Sequence, residues 1–457
     1  MSRMQINLSE SRVPCKSAAL ALAMLLSSAP VTAADDLATI LELALQSDPI
    51  YQQAESAALA VAEGVPQARA AAWLPVIRIT GGASRVDQEV EVDAAFAFGQ
   101  TGGTDFTRKN WNISATQPIY RYDRFVALKQ ASKSVQQANF QLQAAQQDLL
   151  VRVAERYLES LASQDNLEFA RAEKESLKRQ LEQAQQRFEV GLIAITDVQE
   201  AQAGYDRAVA DEILAENALD NSFEALREVT GQYHSDLARL GESIQLKNPE
   251  PNDIEVWTAT ALKQNMRLAA EQIAAEIAHD EIRRQYAGHL PTIDLVGSTG
   301  VSDTGGRFGD SSTDESEIGV QFTMPIFEGF AVKSRTEEAR YRHAESIQRV
   351  EQERRFAYRE SREAFLGVNA RISSVKALKQ AVVSAQTAVD STTAGFEVGT
   401  RTAVDVVASE RGLFQAKRNY ARSRYDYILE ILRLKQAAGT LSPEDLMITN
   451  SWLEDGP

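Results

Sequence analysis

Cysteine is all but missing from this chain. The only one in 457 residues is Cys15, so no intrachain disulfide can form and the fold must be held by packing or by association. Prolines number 12 and are absent for long stretches rich in Ala, Gln, Glu, Leu and Arg, a composition suited to long helices. Mean hydropathy is negative, which excludes a conventional helical membrane protein. Basic residues are outnumbered, 48 Lys and Arg against 64 Asp and Glu for a formal charge of -16. Nucleic-acid phosphates require the opposite sign, so no nucleic acid is expected as a partner. The four histidines, His234, His279, His289 and His343, show no metal-ligand spacing. There is no phosphate loop or nucleophile elbow, and Gly305-Gly-Arg-Phe-Gly309 sits in a polar loop with no helix to follow. The Arg- and Glu-rich run Arg349–Arg362 reads as solvated helix surface. No enzyme, metal or cofactor is expected.

What is present begins with an export signal. Arg3, Arg12 and Lys16 precede an apolar core, Ala18–Leu26, and the small residues Ser27–Ala34 offer cleavage after Ala33 or Ala34. A membrane anchor would need ~18–20 apolar residues, so residues 1–33 read as a signal peptide. Cys15 precedes the apolar core, whereas a lipoprotein cysteine should follow it. Losing Arg3, Arg12, Lys16 and Glu10 moves the formal charge from -16 to -18. A lumen that favours cations and an acidic solvated surface both fit that charge.

The chain repeats itself. Phe188-Glu-Val-Gly191 recurs as Phe396-Glu-Val-Gly399, and Asp197-Val198 recurs as Asp405-Val406 at the same separation from its glycine. Leu74-Pro75 matches Leu290-Pro291, Gln117-Pro-Ile-Tyr120 matches Met324-Pro-Ile-Phe327, and Gly231 and Gly439 close the halves. Markers kept in order mark a duplication, dividing the mature chain into 34–240 and 241–457. Each half reads helix, strand, loop, strand, long helix, turn, helix. The strand pairs fall at about 76–120 and 291–327, and the long helical hairpins at about 122–230 and 329–437, with a C-terminal segment beyond. Between Tyr122 and Phe188 there is no Gly or Pro. Apolar residues at Ala131, Val135, Ala138, Leu142, Ala145 and Leu149 form a coiled-coil seam. Val153, Tyr157 and Leu161 insert a stutter, and Leu177, Leu181, Ala184 and Phe188 restore the rhythm. Such a helix is ~100 Å long at 1.5 Å per residue, a length suited to a tube wall.

Four segments alternate with the period of strands. Ile77, Ile79, Gly81 and Ala83 oppose Arg78, Thr80 and Gly82; Trp111, Ile113 and Ala115 oppose Asn110, Asn112, Ser114 and Thr116. Ile293 and Leu295 oppose Thr292 and Asp294; Ile318, Val320, Phe322 and Met324 oppose Glu317, Gly319, Gln321 and Thr323. A soluble hairpin and a lipid-facing barrel wall both alternate in this way. Export, strand length near the ~9–11 residues needed to span, and long polar loops at Val86–Lys109 and Ser302–Ser316 favour the barrel. Four strands cannot close one, and open edges in lipid leave backbone groups unsatisfied. The barrel is therefore shared between two, three or four chains.

Gly399-Thr-Arg-Thr-Ala-Val-Asp-Val406, Ala416-Lys417, Arg424-Tyr-Asp-Tyr427 and Gly439-Thr-Leu441 carry a resemblance to a known family. So do Arg187-Phe-Glu-Val-Gly-Leu-Ile-Ala-Ile-Thr-Asp-Val198 and Gly288-His-Leu-Pro-Thr-Ile-Asp-Leu295. Across essentially the whole mature chain the sequence resembles the TolC-like outer-membrane efflux proteins (outer membrane factors). The resemblance implies a mixed α/β membrane protein in which four antiparallel strands per chain form a shared twelve-stranded β-barrel in a homotrimer. A coiled-coil α-helical barrel would continue it across the periplasm. It also implies a passive exit duct for efflux or type I secretion, with a periplasmic adaptor (membrane fusion) protein and an inner-membrane pump of RND, ABC or MFS type as partners.

In that family the helical tips close the periplasmic entrance. By resemblance, Thr196 and Asp197 match the acceptor side of a latch and Arg401 the cation that bonds them, a directional, charge-assisted link that solvent can replace. Asp405 matches an aspartate ring at the constriction; three converging carboxylates would attract cations and raise one another's pKa values. Phe396 stands where the family has a tyrosine whose hydroxyl braces the latch, and Ala408 where a second aspartate ring lies, so weaker closure and weaker cation block are expected. Glu410 is acidic and nearby, but its spacing takes it off Asp405's face. The turns Val190-Gly191-Leu192 and Val398-Gly399-Thr400 end helices through left-handed glycines, and the resemblance makes them adaptor-contacting tips. Two capping boxes, Thr196-Asp-Val-Gln199 and Thr402-Ala-Val-Asp405, offer a purely structural role for the same residues. The rival function is a periplasmic coiled-coil scaffold or adhesin without a conducting pore; a stand-alone porin would not need helices of this length.

Overall fold

The computed structural model describes residues 34–90, 102–241, 244–306 and 309–454; the expected signal peptide lies outside them. Helices α1 (Leu37–Ser47), α2 (Pro49–Ala62) and α3 (Gly64–Trp73) lead into strands β1 (Val76–Val90) and β2 (Gly102–Tyr120). The long helix α4 (Tyr122–Glu189) and its return α5 (Ile195–Thr230) follow. After a short strand β3 (Arg239–Leu240) the order recurs as α6 (Ile254–Gln264), α7 (Met266–Tyr286), β4 (Thr292–Thr304) and β5 (Ser311–Thr323). It continues with long α8 (Ala331–Glu397) and its return α9 (Ala403–Ala437), then α10 (Pro443–Asn450) and β6 (Leu453–Glu454). Among the described residues no helix is long and apolar enough to cross a membrane, as the polar helix composition requires.

The long helices hold 68 and 67 residues, ~100 Å each. Along α4 the seam residues Ala138, Leu149, Val153, Tyr157, Leu161, Leu177, Leu181 and Ala184 are buried. Phe188 is not; it stands 41% exposed, because the seam reaches the tip before its last member. Short helices stack end to end beside α4. Arg124 donates to the Ala71 carbonyl of α3, Arg152 pairs with Asp48 at the start of α2 (2.7 Å), and Arg156 faces Glu228 of α5 (3.9 Å). On the other flank Asp148 ties Arg267 of α7 (2.7 Å) to Gln436 of α9 (2.7 Å), where those two helices abut. Gly439 is required there: its φ is +74°, and a Cβ would collide with the Gln264 carbonyl. Thus α4 packs against α2, α3, α5, α7 and α9, whereas among the described residues α8 packs chiefly against α6, α7 and α9.

The strands form one antiparallel sheet in the order β1-β2-β4-β5, leaving β1 and β5 as unpaired edges. Its register places Arg78, Ser114, Ser298 and Glu317 in one row, and Ile77, Ala115, Gly297 and Ile318 in the next. Polar and apolar residues therefore segregate to opposite faces across all four strands. The strands run further than their alternation suggests. Val86–Val90 and Gly102–Lys109 belong to β1 and β2, and Ser302–Thr304 and Ser311–Ser316 to β4 and β5, so both loops are shorter than expected. Backbone pairing does not need an apolar face, and it continues past the point where the side-chain pattern fades.

The largest core lies midway along the helices, where Leu37 and Ile40 of α1 meet Leu149, Tyr157 and Leu161 of α4. Leu226 of α5, Val368 of α8 and Tyr427 and Ile428 of α9 complete it. Tyr157 donates to the Ala238 carbonyl (2.8 Å), satisfying its hydroxyl within that core. The ladder between β3 and β6 pairs only Arg239 with Glu454 and Leu240 with Leu453, too short to leave a periodic signal.

Candidate functional site: the helical tips

Both hairpins turn by the same device. At the first tip the Gly191 N–H donates to the Phe188 carbonyl (2.9 Å) and Leu192 N–H to Arg187 (2.8 Å); at the second, Gly399 donates to Phe396 (3.2 Å) and Thr400 to Gly395 (2.8 Å). These are paired Schellman closures, with Gly191 and Gly399 at φ +75° and +77°. The closures turn Val190 (70% exposed), Leu192 (72%) and Val398 (75%) outward, with Thr400 also exposed. Val190 and Leu192 thus give the first tip an exposed apolar end, and Val398 does the same for the second, beside the polar Thr400.

The return helices start differently. At α9 the capping box is complete: Thr402 Oγ1 accepts from Asp405 N–H (3.4 Å), while Asp405 Oδ2 accepts from the Thr402 N–H and hydroxyl (3.0 Å each). These donors, the backbone one first, hold the Asp405 carboxyl below the usual carboxylate range, with Arg401 adding to the effect. Within one chain the shift is thus downward, opposite to what mutual repulsion in a ring would produce. At α5 the expected box Thr196-Asp-Val-Gln199 does not form. The helix begins two residues sooner, with Ala194 as N-cap and Asp197 at N3. Asp197 Oδ2 accepts from Ala194 N–H (3.3 Å), and alanine has no side-chain oxygen to return the bond. Thr196 lies inside the first turn with its side chain exposed, free of any capping duty.

Arg401 folds back over Gly395, where a Cβ would lie 2.7 Å from Arg401 Cγ. Its side chain is exposed, and among the described residues of one chain it forms no ion pair with Asp197. Thr196 and Asp197 sit at one tip and Arg401 at the other, and among the described residues no ion pair joins them within the protomer. A different contact joins the two tips. The Arg187 guanidinium of α4 lies over the Phe396 ring of α8, 4.6 Å from its centroid. Behind it is a small cavity of about 190 Å³ bordered by Gln180, Thr393, Phe396 and Glu410. Glu410, whose spacing takes it off Asp405's face, is buried. Ala403, Val406, Glu410 and Leu413 are all buried at seam intervals along α9, and a glutamate on an apolar seam is the signal that could have marked it. The cation–π contact had no such signal, since it depends on how two hairpins lie side by side.

At the other end, the apolar face of the sheet exposes Ile77, Ile79, Trp111, Ile318, Val320 and Phe322. Below it, where strands give way to helices, Trp73, Tyr286, Phe327 and Phe330 stand more than half exposed. An exposed apolar band bounded by aromatics is the pattern of a lipid-facing wall and its interfacial girdle.

Residues 40–232 and 257–440 match the family model described as Outer membrane efflux protein. The chain is 40% identical over 434 residues to Outer membrane protein TolC of Vibrio cholerae, covering 92% of this chain and 94% of that protein. It is 30% identical over 337 residues to Alkaline protease secretion protein AprF of Pseudomonas aeruginosa, covering 73% and 70% respectively. Among solved structures, the outer membrane channel CmeC of Campylobacter jejuni has the same fold. Its TM-score is 0.74 at 14% identity, covering 96% of this chain and 98% of that one.

Proposed function

The chain belongs to the outer membrane efflux protein family, and we propose that it is the passive exit duct of tripartite efflux and type I secretion machines. The observation that carries this reading is continuity. A four-stranded sheet with an apolar face and two unpaired edges runs directly into helical hairpins ~100 Å long. Such edges must be paired inside a bilayer, because each unsatisfied N–H or C=O group there costs several kcal/mol. Copies of the chain joined β5 to β1 supply the pairing, and three copies make a twelve-stranded barrel.

The helices fit the same closure. Ile213 and Leu214 of α5 and Leu59 of α2 are exposed, and so are Tyr341, Leu366 and Val383 of α8. Ring closure brings α8 of one copy against α2 and α5 of the next. It also carries Arg401 towards Thr196 and Asp197 of a neighbouring copy, so the latch is a bond between protomers. In this reading the tips, Val190–Leu192 and Val398–Thr400, receive a periplasmic adaptor, and an RND, ABC or MFS pump loads the duct. The repeats 34–240 and 241–457 then each supply one strand pair and one hairpin to the wall.

Two measurements test this. Purified protein in a planar bilayer should conduct, and a gene deletion should raise drug susceptibility or abolish a secreted protein, the two arms separating efflux from secretion. A protein soluble without detergent and silent in the bilayer is the scaffold outcome and overturns the proposal.

A further inference from the structure

Within one chain the two hairpins meet along α4 and α9, and the seam is tied by polar pairs that can be followed towards the tip. Arg433 reaches Glu155 (3.3 Å), and Arg422 reaches Glu159 (2.5 Å). The Tyr425 hydroxyl donates to Asp165 (2.7 Å), and Arg418 pairs with buried Glu173 (2.8 Å). The next acidic residue along α9 is Glu410, two turns beyond Arg418, and there the pairing stops. Glu410 is 9% exposed; its Oε2 has no hydrogen-bond partner, and among the described residues it forms no ion pair. It borders the 190 Å³ cavity behind Phe396.

We propose that Glu410 is a proton-linked wedge in the gate: it lets α9 pack on α4 when its carboxyl is neutral and drives the hairpins apart when it is ionised. This rests on the reading of the tips as the duct's entrance. A carboxylate placed between packed helices loses its hydration, and among the described residues no cation comes within ion-pair distance of Glu410 to replace it, so ionisation is disfavoured there. The groups around it do not change that balance. On α4, Ser176, Gln180 and Arg179 favour the charged form and Glu173 opposes it, while burial is the largest influence and pushes the carboxyl up. The remaining cavity neighbours, Ala201 of α5 and Thr393 and Phe396 of α8, are uncharged. Separation of α9 from α4 returns Glu410 to water and to an ordinary value.

The packed tip therefore binds the proton more tightly than the separated one. Its advantage is fully present below the ordinary glutamate value and is lost as pH rises through the packed-state value. Each unit of difference between the two states shifts the closed-to-open ratio by up to about tenfold. Asp405 is shifted downward, so this chain places its titration on the acid side of that window.

The test is single-channel conductance of the assembled protein between pH 4.5 and 8, comparing wild type with Glu410→Gln and Glu410→Leu. Wild-type open probability should rise severalfold with pH, and both variants, unable to ionise, should stay at the acid-side level. A pH response retained in Glu410→Gln overturns the wedge, and so does a pH-independent wild type. Absence of conductance in every protein sinks the duct reading instead. Oligomer mobility in detergent at pH 4.5 identifies a variant that failed to assemble, and the second substitution then decides.

Discussion

The Arg187 guanidinium stacks on the Phe396 ring, 4.6 Å from its centroid, and so joins the two helical tips of one protomer. The hydroxyl that resemblance assigns to this position is absent, yet the position is not idle. Cation–π contacts at exposed sites are worth about 0.5–1 kcal/mol. Phe396→Leu should therefore raise the open-to-closed ratio about two- to five-fold, read as open probability in bilayers. Phe396→Tyr should keep the contact and add a hydrogen-bonding group, so its open probability should fall below wild type.

The proposed cross-protomer latch makes a stricter prediction. If Arg401 bonds Asp197 of a neighbouring copy, Arg401→Ala and Asp197→Ala each remove the same link. The double variant should then open no more readily than the more affected single one, a non-additivity of about 0.2–1 kcal/mol for an exposed pair. Strict additivity of the two effects would place Arg401 and Asp197 in separate interactions.

Cation block should follow the carboxylates. Trivalent cations at millimolar concentration are expected to block weakly through a single Asp405 ring. Asp405→Asn should abolish that block, and Ala408→Asp should tighten it, since position 408 is exposed one helical turn along α9. Block in Asp405→Asn as tight as in wild type would move the cation site elsewhere.

The complete cap at Thr402 separates structure from gating. Thr402→Ala should cost about 1 kcal/mol of local helix stability and speed tryptic cleavage after Arg401 about five-fold. Acid should do the same to wild type. The Asp405 carboxyl lies below its ordinary range because of Thr402, so the cap's contribution is present above the ordinary carboxylate value and is lost as pH falls through the depressed one. Pepsin cleavage at the second tip should increase over that acid range in wild type, with a smaller increase in Thr402→Ala.

How much of this could be read from the sequence follows a physical division. The helices, strand faces and left-handed glycines were legible because each rests on a local rule: periodicity, the absence of breakers, or a backbone angle only glycine accepts. The sequence places the start of α5 at Thr196 because that residue resembles a cap, whereas the helix starts two residues earlier by using Ala194 and accepting half a capping box. The strand ends were misplaced because hydrogen-bonded ladders persist where side chains no longer alternate. Glu410 and the Arg187–Phe396 contact depend on the juxtaposition of two hairpins some 200 residues apart in sequence. Only the glutamate left a trace, as a charge at a seam position.

The sheet itself allows the most direct test of where the protein resides. Ile318 and Val320 are exposed on the apolar face, and each lies beside a neighbour of the opposite face, Glu317 and Gly319. In a lipid-facing wall, arginine at Ile318 or Val320 should cost about 2–4 kcal/mol near the bilayer midplane and reduce the assembled protein in outer-membrane fractions. Arginine at Ser114 or Ser298, in the row with Arg78 and Glu317 on the polar face, should leave assembly intact and alter only ion selectivity. A soluble sheet packed on a core predicts the same loss at Ile318. It does not predict that the loss depends on depth, weakening from Ile318 towards Asp314 on that face as the side chain leaves the hydrocarbon. An arginine series at positions 322, 320, 318, 316 and 314, scored by membrane assembly, should therefore trace a maximum centred in the bilayer; a flat profile removes lipid from that face.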